Sequence, residues 1–325
     1  MIILGWPFDR LRDPRGLRDP RVLRDHWVLR VGTRLLLPAM HLMPSLVTDM
    51  TDFVFIDSGT GGIPYMTELL KKKPDASCLY IADNANFPYG QKSHEQVVSC
   101  VLPLVKKVCR DFEPAVIVLA CNTISVNALE ELRRHLPDRN FVGTVPAIKL
   151  AAFLSKTRRL GLLATTATVE NPYNDQLMKN FASDCILVKR ADAPLIDFIE
   201  KKSFTASEEE ILNAIKPAAD FFRASGCDTL ILGCTHFLNI KPQIQKAMGP
   251  EIQVVDSVDG VVRHAIEVYG ALRGVPAGRG RTQRSAAEGK AFPSLFMTGS
   301  LSDAEMAQYR MLADRLGIKK INFFK

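Results

Sequence analysis

The chain has 325 residues, 47% hydrophobic and 24% charged, with a formal net charge of +7. That length suggests two domains of ordinary size, and that balance describes a soluble globular protein. No apolar run approaches the roughly 20 residues that span a bilayer, and no apolar core with a cleavage site marks a signal peptide. The basicity is local: residues 1–50 contribute +3 and residues 273–290 contribute +4, leaving the rest neutral. Neither segment shows the aromatic interleaving that stacks on bases, so nucleic acid is an unlikely partner and a membrane is not expected.

Residues 1–50 carry a hexapeptide repeat, "LRDPRG LRDPRV LRDHWV", starting at Leu11, Leu17 and Leu23. Recurrent Pro and Arg-Asp alternation do not make an amphipathic helix face. The segment is expected to be a disordered extension, or sequence upstream of a true start near Met50.

From Phe53 the pattern is α/β. "FVFIDSGTGG" reads as strand, glycine-rich turn and helix, and "CLYIADNANFPYG" as a second strand with a loop at a cleft rim. Residues 93–110 have a helical period. "AVIVLACNTIS" is a third strand running into a helix, and "FVGTV" is a fourth strand. "RLGLLATTATV" restarts the pattern, "CILVKRA" follows, and helices fill 194–225. "TLILGCTHFL" and "IQVVDSVDGVV" are later strand-to-helix turns. Residues 273–291 are Gly/Arg/Ser-rich and read as a flexible loop. "FPSLFMTGS" and a helix near 300–318 close the chain.

Strands alternating with helices predict parallel sheets covered on both faces. The expected fold class is α/β, with two pseudo-symmetric doubly wound parallel-sheet domains and the active site in the cleft between them. The expected extents are 51–150 for the first domain, with the final helix packing back on it, and 151–272 for the second. Residues 292–325 form a C-terminal segment. The halves echo one another: Asp57 precedes Cys121 by 64 residues, and Thr165 precedes Cys234 by 69.

Seven scattered cysteines (Cys78, Cys100, Cys109, Cys121, Cys185, Cys227 and Cys234) without a C-x-x-C pair point to free thiols in a reducing cytoplasm, with no structural metal. A free cysteine in a strand is ordinarily a small buried hydrophobe. Cys121 and Cys234 differ because each ends a strand where a helix begins, a setting expected to lower a thiol pKa. Asp57 ends the first strand and reads either as a helix cap or as a carboxylate beside a thiol. Ser58 and the backbone of "SGTGG" are candidate anion binders, although the run has neither G-x-G-x-x-G nor a Walker lysine. His236 lies two residues from Cys234, so on a strand both side chains would share a face, and the imidazole could tune the thiol.

Two thiols facing one ligand suit inversion at a Cα centre. One takes the α-proton from one face while the other gives a proton to the opposite face, and they exchange roles with direction. No pyridoxal phosphate motif is present, and no cofactor is expected.

Together "FIDSGTGG", "YIADNANFPYG", "LACNTIS", "GTVPAIK", "GLLATTATV", "LILGCTHF", "VVDS" and "FMTGS" resemble glutamate racemase, of the cofactor-independent aspartate/glutamate racemase superfamily. They run in family order from about 53 to 318. The resemblance implies Cys121 and Cys234 as the acid/base pair, with Asp57 and His236 assisting and Glu200 in "PLIDFIEK" as a third. It implies substrate contacts from Asp57, Ser58, Tyr89, Gly90, Asn122, Thr123, Thr235 and His236. It further implies glutamate as substrate, D-glutamate for peptidoglycan, a cytoplasmic homodimer and a cell-wall precursor as effector. Departures are Phe237 where tyrosine is usual, Ala167 where glycine is often found, and the 273–291 insertion. Three alternatives stay open: another superfamily member such as an aspartate racemase or maleate isomerase, a Cys/His hydrolase built on Cys234 and His236, and a nucleic-acid-binding protein.

Overall fold

The computed structural model describes residues 51–273, 293–318 and 321–324. The expectations for residues 1–50, and for 273–291 beyond its first residue, lie outside these. The strands are β1 (Phe53–Asp57), β2 (Cys78–Ala82), β3 (Val116–Leu119), β4 (Phe141–Gly143), β5 (Arg159–Ala164), β6 (Ile186–Ala191), β7 (Thr229–Gly233), β8 (Gln253–Val255), β9 (Ser294–Met297) and β10 (Ile321–Phe323). The helices are α1 (Ile63–Lys72), α2 (His94–Phe112), α3 (Asn122–His135), α4 (Ile148–Leu154), α5 (Thr166–Val169), α6 (Tyr173–Phe181), α7 (Ala193–Lys202), α8 (Glu208–Ala224), α9 (Lys241–Met248), α10 (Val258–Arg273) and α11 (Asp303–Arg315). Among the described residues no helix is long and apolar enough to cross a membrane.

The strands form two wholly parallel sheets, β10-β9-β2-β1-β3-β4 and β6-β5-β7-β8. Each contains the same local order. The first strand of the half is central, the second lies on one side, and the third and fourth lie on the other. This is a doubly wound arrangement, and the order reverses between β1 and β3 and between β5 and β7. The crevice beyond the carboxyl ends of strands at such a reversal is where ligands bind in open α/β sheets. Cys121 follows β3 and Cys234 follows β7, so each sheet delivers one thiol to its own switch point.

Alternation of side chains explains why the strands read as continuous apolar runs. Phe53, Phe55, Val116 and Val118 face one core of the first sheet, while Val54, Ile56, Ile117 and Leu119 face the other. The second sheet divides likewise, with Leu163, Leu230 and Leu232 on one face and Leu160, Leu162 and Ile231 on the other. Helix starts follow local chemistry. Ser93 with Gln96, Ser207 with Glu210 and Ser302 with Glu305 form capping boxes on α2, α8 and α11. Prolines occupy the first turns of α1 and α7.

The sequence reading errs at the carboxyl end. It has no strand at 321–323, yet β10 pairs with β9, and β9 pairs with β2, extending the first sheet to six strands. A three-residue strand carries too little periodicity to detect. Residues 258–272, expected in the second domain, form most of α10 instead. Its Val261, Val262, Ala265 and Tyr269 pack with Phe53 and Tyr80 in the first core. The second unit therefore ends after β8, because the apolar face of α10 matches the first sheet. Tyr309, Leu312 and Ala313 of α11 join the same core.

Candidate active site

Cys121 and Cys234 adopt nearly the same backbone, φ −145°, ψ 121° and φ −137°, ψ 137°. Cys121 N-caps α3, and Cys234 N-caps a 3-10 helix, Thr235–Ile240, that leads into α9. Both are 5% exposed, and both line one cavity of about 560 Å³ counted out to its mouth. Ser58, Tyr89, Gly90, Asn122, Thr123, Thr235 and His236 line it with them. Asp57 and Glu200 stand behind that lining.

Asp57 is fully buried at the end of β1. Its carboxylate accepts from Ser58 N–H at 2.6 Å, Thr235 Oγ1 at 3.0 Å and Tyr80 OH at 3.4 Å, and it also engages the Cys121 thiol. Burial pushes Asp57 up, and the His236 charge and these donors pull it only partly back. Burial, then the Asp57 charge, pushes the Cys121 thiol well up. The expected lowering at a helix start is thus overturned for Cys121. The Ile124 N–H does favour thiolate, but desolvation and a carboxylate neighbour outweigh it. Cys121 keeps its proton.

The Cys234 side is built differently. Its sulfur lies 3.6 Å from His236 Nδ1, and His236 Nε2 donates to Glu200 Oε2 at 3.0 Å. The expected contact exists, but the strand geometry offered for it does not. His236 sits inside the 3-10 helix, whose tight turn brings the ring back to the sulfur. Burial by itself lowers the His236 pKa, but hydrogen bonds and charge from Cys234 and Glu200 hold it well above the ordinary value. Glu200, although buried, is held down at about 2 by His236 and by Thr60, whose N–H and hydroxyl donate at 3.1 and 2.6 Å. The His236 imidazolium is thus clamped between the Glu200 carboxylate and the Cys234 sulfur.

Three N–H groups of the glycine-rich turn donate to the protein's own groups: Ser58 to Asp57, Thr60 to Glu200 and Gly62 to the Tyr80 hydroxyl. The glycines allow the halves to touch. A Cβ on Gly61 would lie 2.6 Å from His236 N and Thr235 Oγ1, and one on Gly59 would lie 2.6 Å from Glu200 Oε1.

Tyr89 is buried rather than at a rim; its hydroxyl donates to Asp83, and the residue lines the cavity. Gly90 passes so close to Thr165 that a Cβ would lie 2.7 Å from that side chain. Thr165, which the sequence reading passes over, lines the cavity and meets Thr123 Oγ1 at 3.0 Å. The available signal was its place after β5, matching Asp57 after β1. Asn122 is 2% exposed, and its Oδ1 has no partner among the described residues. Among those residues, no group of three or more His, Cys, Asp or Glu could hold a metal ion.

The model of the family described as Asp/Glu/Hydantoin racemase matches residues 63–265. The chain belongs to this racemase family. Glutamate racemase from Treponema pallidum (strain Nichols) is 36% identical over 271 residues, 83% of this chain and 96% of the relative. That from Proteus mirabilis (strain HI4320) is 37% identical over 209 residues, 64% of this chain and 72% of the relative. The crystal structure of Escherichia coli glutamate racemase with L-glutamate and the activator UDP-MurNAc-Ala superposes with a TM-score of 0.71 at 28% identity. It covers 84% of this chain and 98% of that one. A Bacillus anthracis glutamate racemase isoform, at 23% identity and TM-score 0.66, shares the fold over 84% of this chain and 96% of its own. As a racemase, the protein is an isomerase with two pseudo-symmetric α/β halves around a central site.

Proposed function

We propose that this racemase interconverts L- and D-glutamate by proton transfer between Cys121 and Cys234. The observation that carries the reading is one cavity lined by both cysteines, each from the switch point of its own sheet. In one direction Cys234, beside the His236 imidazolium, takes the Cα proton, and the Cys121 thiol gives its proton to the opposite face of the carbanion. The product leaves with the Cys234 sulfur protonated and Cys121 as thiolate, the form that accepts the opposite enantiomer.

No Lys or Arg is among the described residues lining the cavity. The substrate carboxylates are therefore held by the hydroxyls of Ser58 and Thr123, the Asn122 amide and backbone N–H groups, with Thr235 lining the site while its hydroxyl donates to Asp57. Fixed dipoles of this kind stabilise developing charge without the cost of reorienting water. Tyr89 and Gly90 shape the wall, and Asp57 and His236 reach the substrate through the thiols and the Thr235 hydroxyl. The E. coli relative's complex with L-glutamate supports the choice of substrate. The same reading takes this chain as a cytoplasmic homodimer that supplies D-glutamate for peptidoglycan. A cell-wall precursor would act as effector, in line with the activator bound to that relative.

The test is deuterium incorporation at Cα of each glutamate enantiomer in heavy water, with circular dichroism following racemisation and aspartate as competitor. Wild type labels both enantiomers of glutamate, and Cys121→Ala or Cys234→Ala abolishes racemisation. Full activity of Cys121→Ser with a covalent adduct on Cys234 would instead establish the hydrolase.

A further inference from the structure

Glu200 has two carboxylate oxygens with different company. Oε2 takes His236 Nε2 and both Thr60 donors. Oε1 accepts from the Tyr309 hydroxyl at 2.8 Å, and that hydroxyl in turn accepts from Asn84 Nδ2 at 2.5 Å. Tyr309 lies on α11, 109 residues beyond Glu200, and is 2% exposed. Burial and the Glu200 charge push its pKa well above that of an ordinary phenol, so the hydroxyl always carries a proton to donate. Asn84, in the turn after β2, fixes where that proton points.

We propose that Tyr309 is a positioning residue for the Cys234 half of the reaction, holding Glu200 with its other oxygen toward His236. The proposal rests on the relay of Cys234, His236 and Glu200 described above and deepens it. A buried carboxylate with one oxygen unpaired is free to rotate and becomes more basic. With Oε1 capped by a neutral donor, Glu200 orients the imidazole without drawing its proton away from the sulfur. The other ionisable groups facing the relay are Asp57 at the end of β1, Tyr80 on β2 and Cys121 at the start of α3. Tyr80 donates to Gly59 O at 2.8 Å and more weakly to Asp57. Among the described residues, Tyr309 is the donor on Oε1. Its helix follows β9, so the carboxyl-terminal segment completes a relay whose Glu200, His236 and Cys234 belong to the second half.

The test uses full-length Tyr309→Phe, with Tyr65→Phe as control. Tyr65 is as deeply buried in the same core, but its hydroxyl meets Ser257 Oγ at 2.9 Å instead. Loss of a charge-assisted hydrogen bond should lower kcat about tenfold in Tyr309→Phe. KM should stay within about twofold, and the alkaline limb of the rate profile should move up as Glu200 holds the His236 proton more tightly. Tyr65→Phe keeps wild-type kcat and limb. The double variant Tyr309→Phe with Glu200→Gln should lose no more than Glu200→Gln alone, because both act through one carboxylate. Wild-type kcat and limb in Tyr309→Phe, or additive losses in the double variant, overturn the proposal. Wild-type kcat in Glu200→Gln removes the relay itself, and the proposal with it. If Tyr309→Phe lowers the melting temperature too far to assay, Asn84→Ala is read in its place. The same limb should shift, by less, and an unmoved limb overturns the proposal.

Discussion

The two thiols occupy equivalent places in equivalent sheets, yet their surroundings are opposites. Cys121 faces a buried carboxylate, Asp57, and burial first and that negative charge second push its thiol well up. Cys234 faces an imidazole that is held charged by Glu200 on its far side. Topology thus supplies the symmetry that inversion needs, while the neighbours supply an asymmetry: a buried carboxylate beside one sulfur and an imidazole beside the other.

The sharpest way to break that comparison is to remove one sulfur at a time. Cys121→Ala and Cys234→Ala should each lower racemisation by about three orders of magnitude or more. In heavy water each variant should exchange Cα hydrogen in one enantiomer without inversion, and the two variants should choose opposite enantiomers. Exchange of the same enantiomer by both would mean the sulfurs share one face.

His236→Asn tests the asymmetry. It removes the positive partner of Cys234 and should lower kcat about a hundredfold, an effect read by steady-state circular dichroism. Asp57→Asn should relieve the upward push on Cys121 and increase its alkylation by iodoacetamide at neutral pH, with the labelled cysteine located by mass spectrometry.

Gly61→Ala probes the seam rather than the chemistry. The added Cβ meets backbone on the His236 side, which has no flexible end to yield. A cost of about 1–3 kcal/mol should appear as a lower melting temperature. Gly90→Ala meets a side chain instead and should cost less.

The smallest expected effect is on acid stability. Glu200 is depressed from 4.5 to about 2. Its stabilisation is complete above the unfolded value and is lost as pH falls through the folded one. Wild type should therefore lose melting temperature between about pH 4.5 and pH 2, and Glu200→Gln should lose less over that window. An equal decline in both proteins would place the acid-labile contact elsewhere.

The local part of the site was legible in the residues. β-branched runs ending in Ala-Cys-Asn-Thr and Gly-Cys-Thr-His mark buried parallel strands that deliver a thiol to a helix start. Asp57 was legible for the same reason, and the repeated unit announced two halves. Thr60, Tyr80, Asp83, Thr165 and Tyr309 were not. Each acts through a partner it meets only after folding, as Thr60 and Tyr309 meet Glu200 across 140 and 109 residues. Helix α10 was assigned to the wrong half because amphipathic period reports that a helix has an apolar face, not which sheet that face covers.

Sequence alone determined the alternation of strand and helix and the cysteine at two strand-to-helix turns, because these depend on neighbours along the chain. Tertiary structure decided which groups stand beside each sulfur, which partners the glycine turn's N–H groups meet, and that the last helix reaches the site. Those depend on burial and on charges brought together from distant segments. Desolvation and Coulomb energy follow distance in space, which no local pattern of residues encodes.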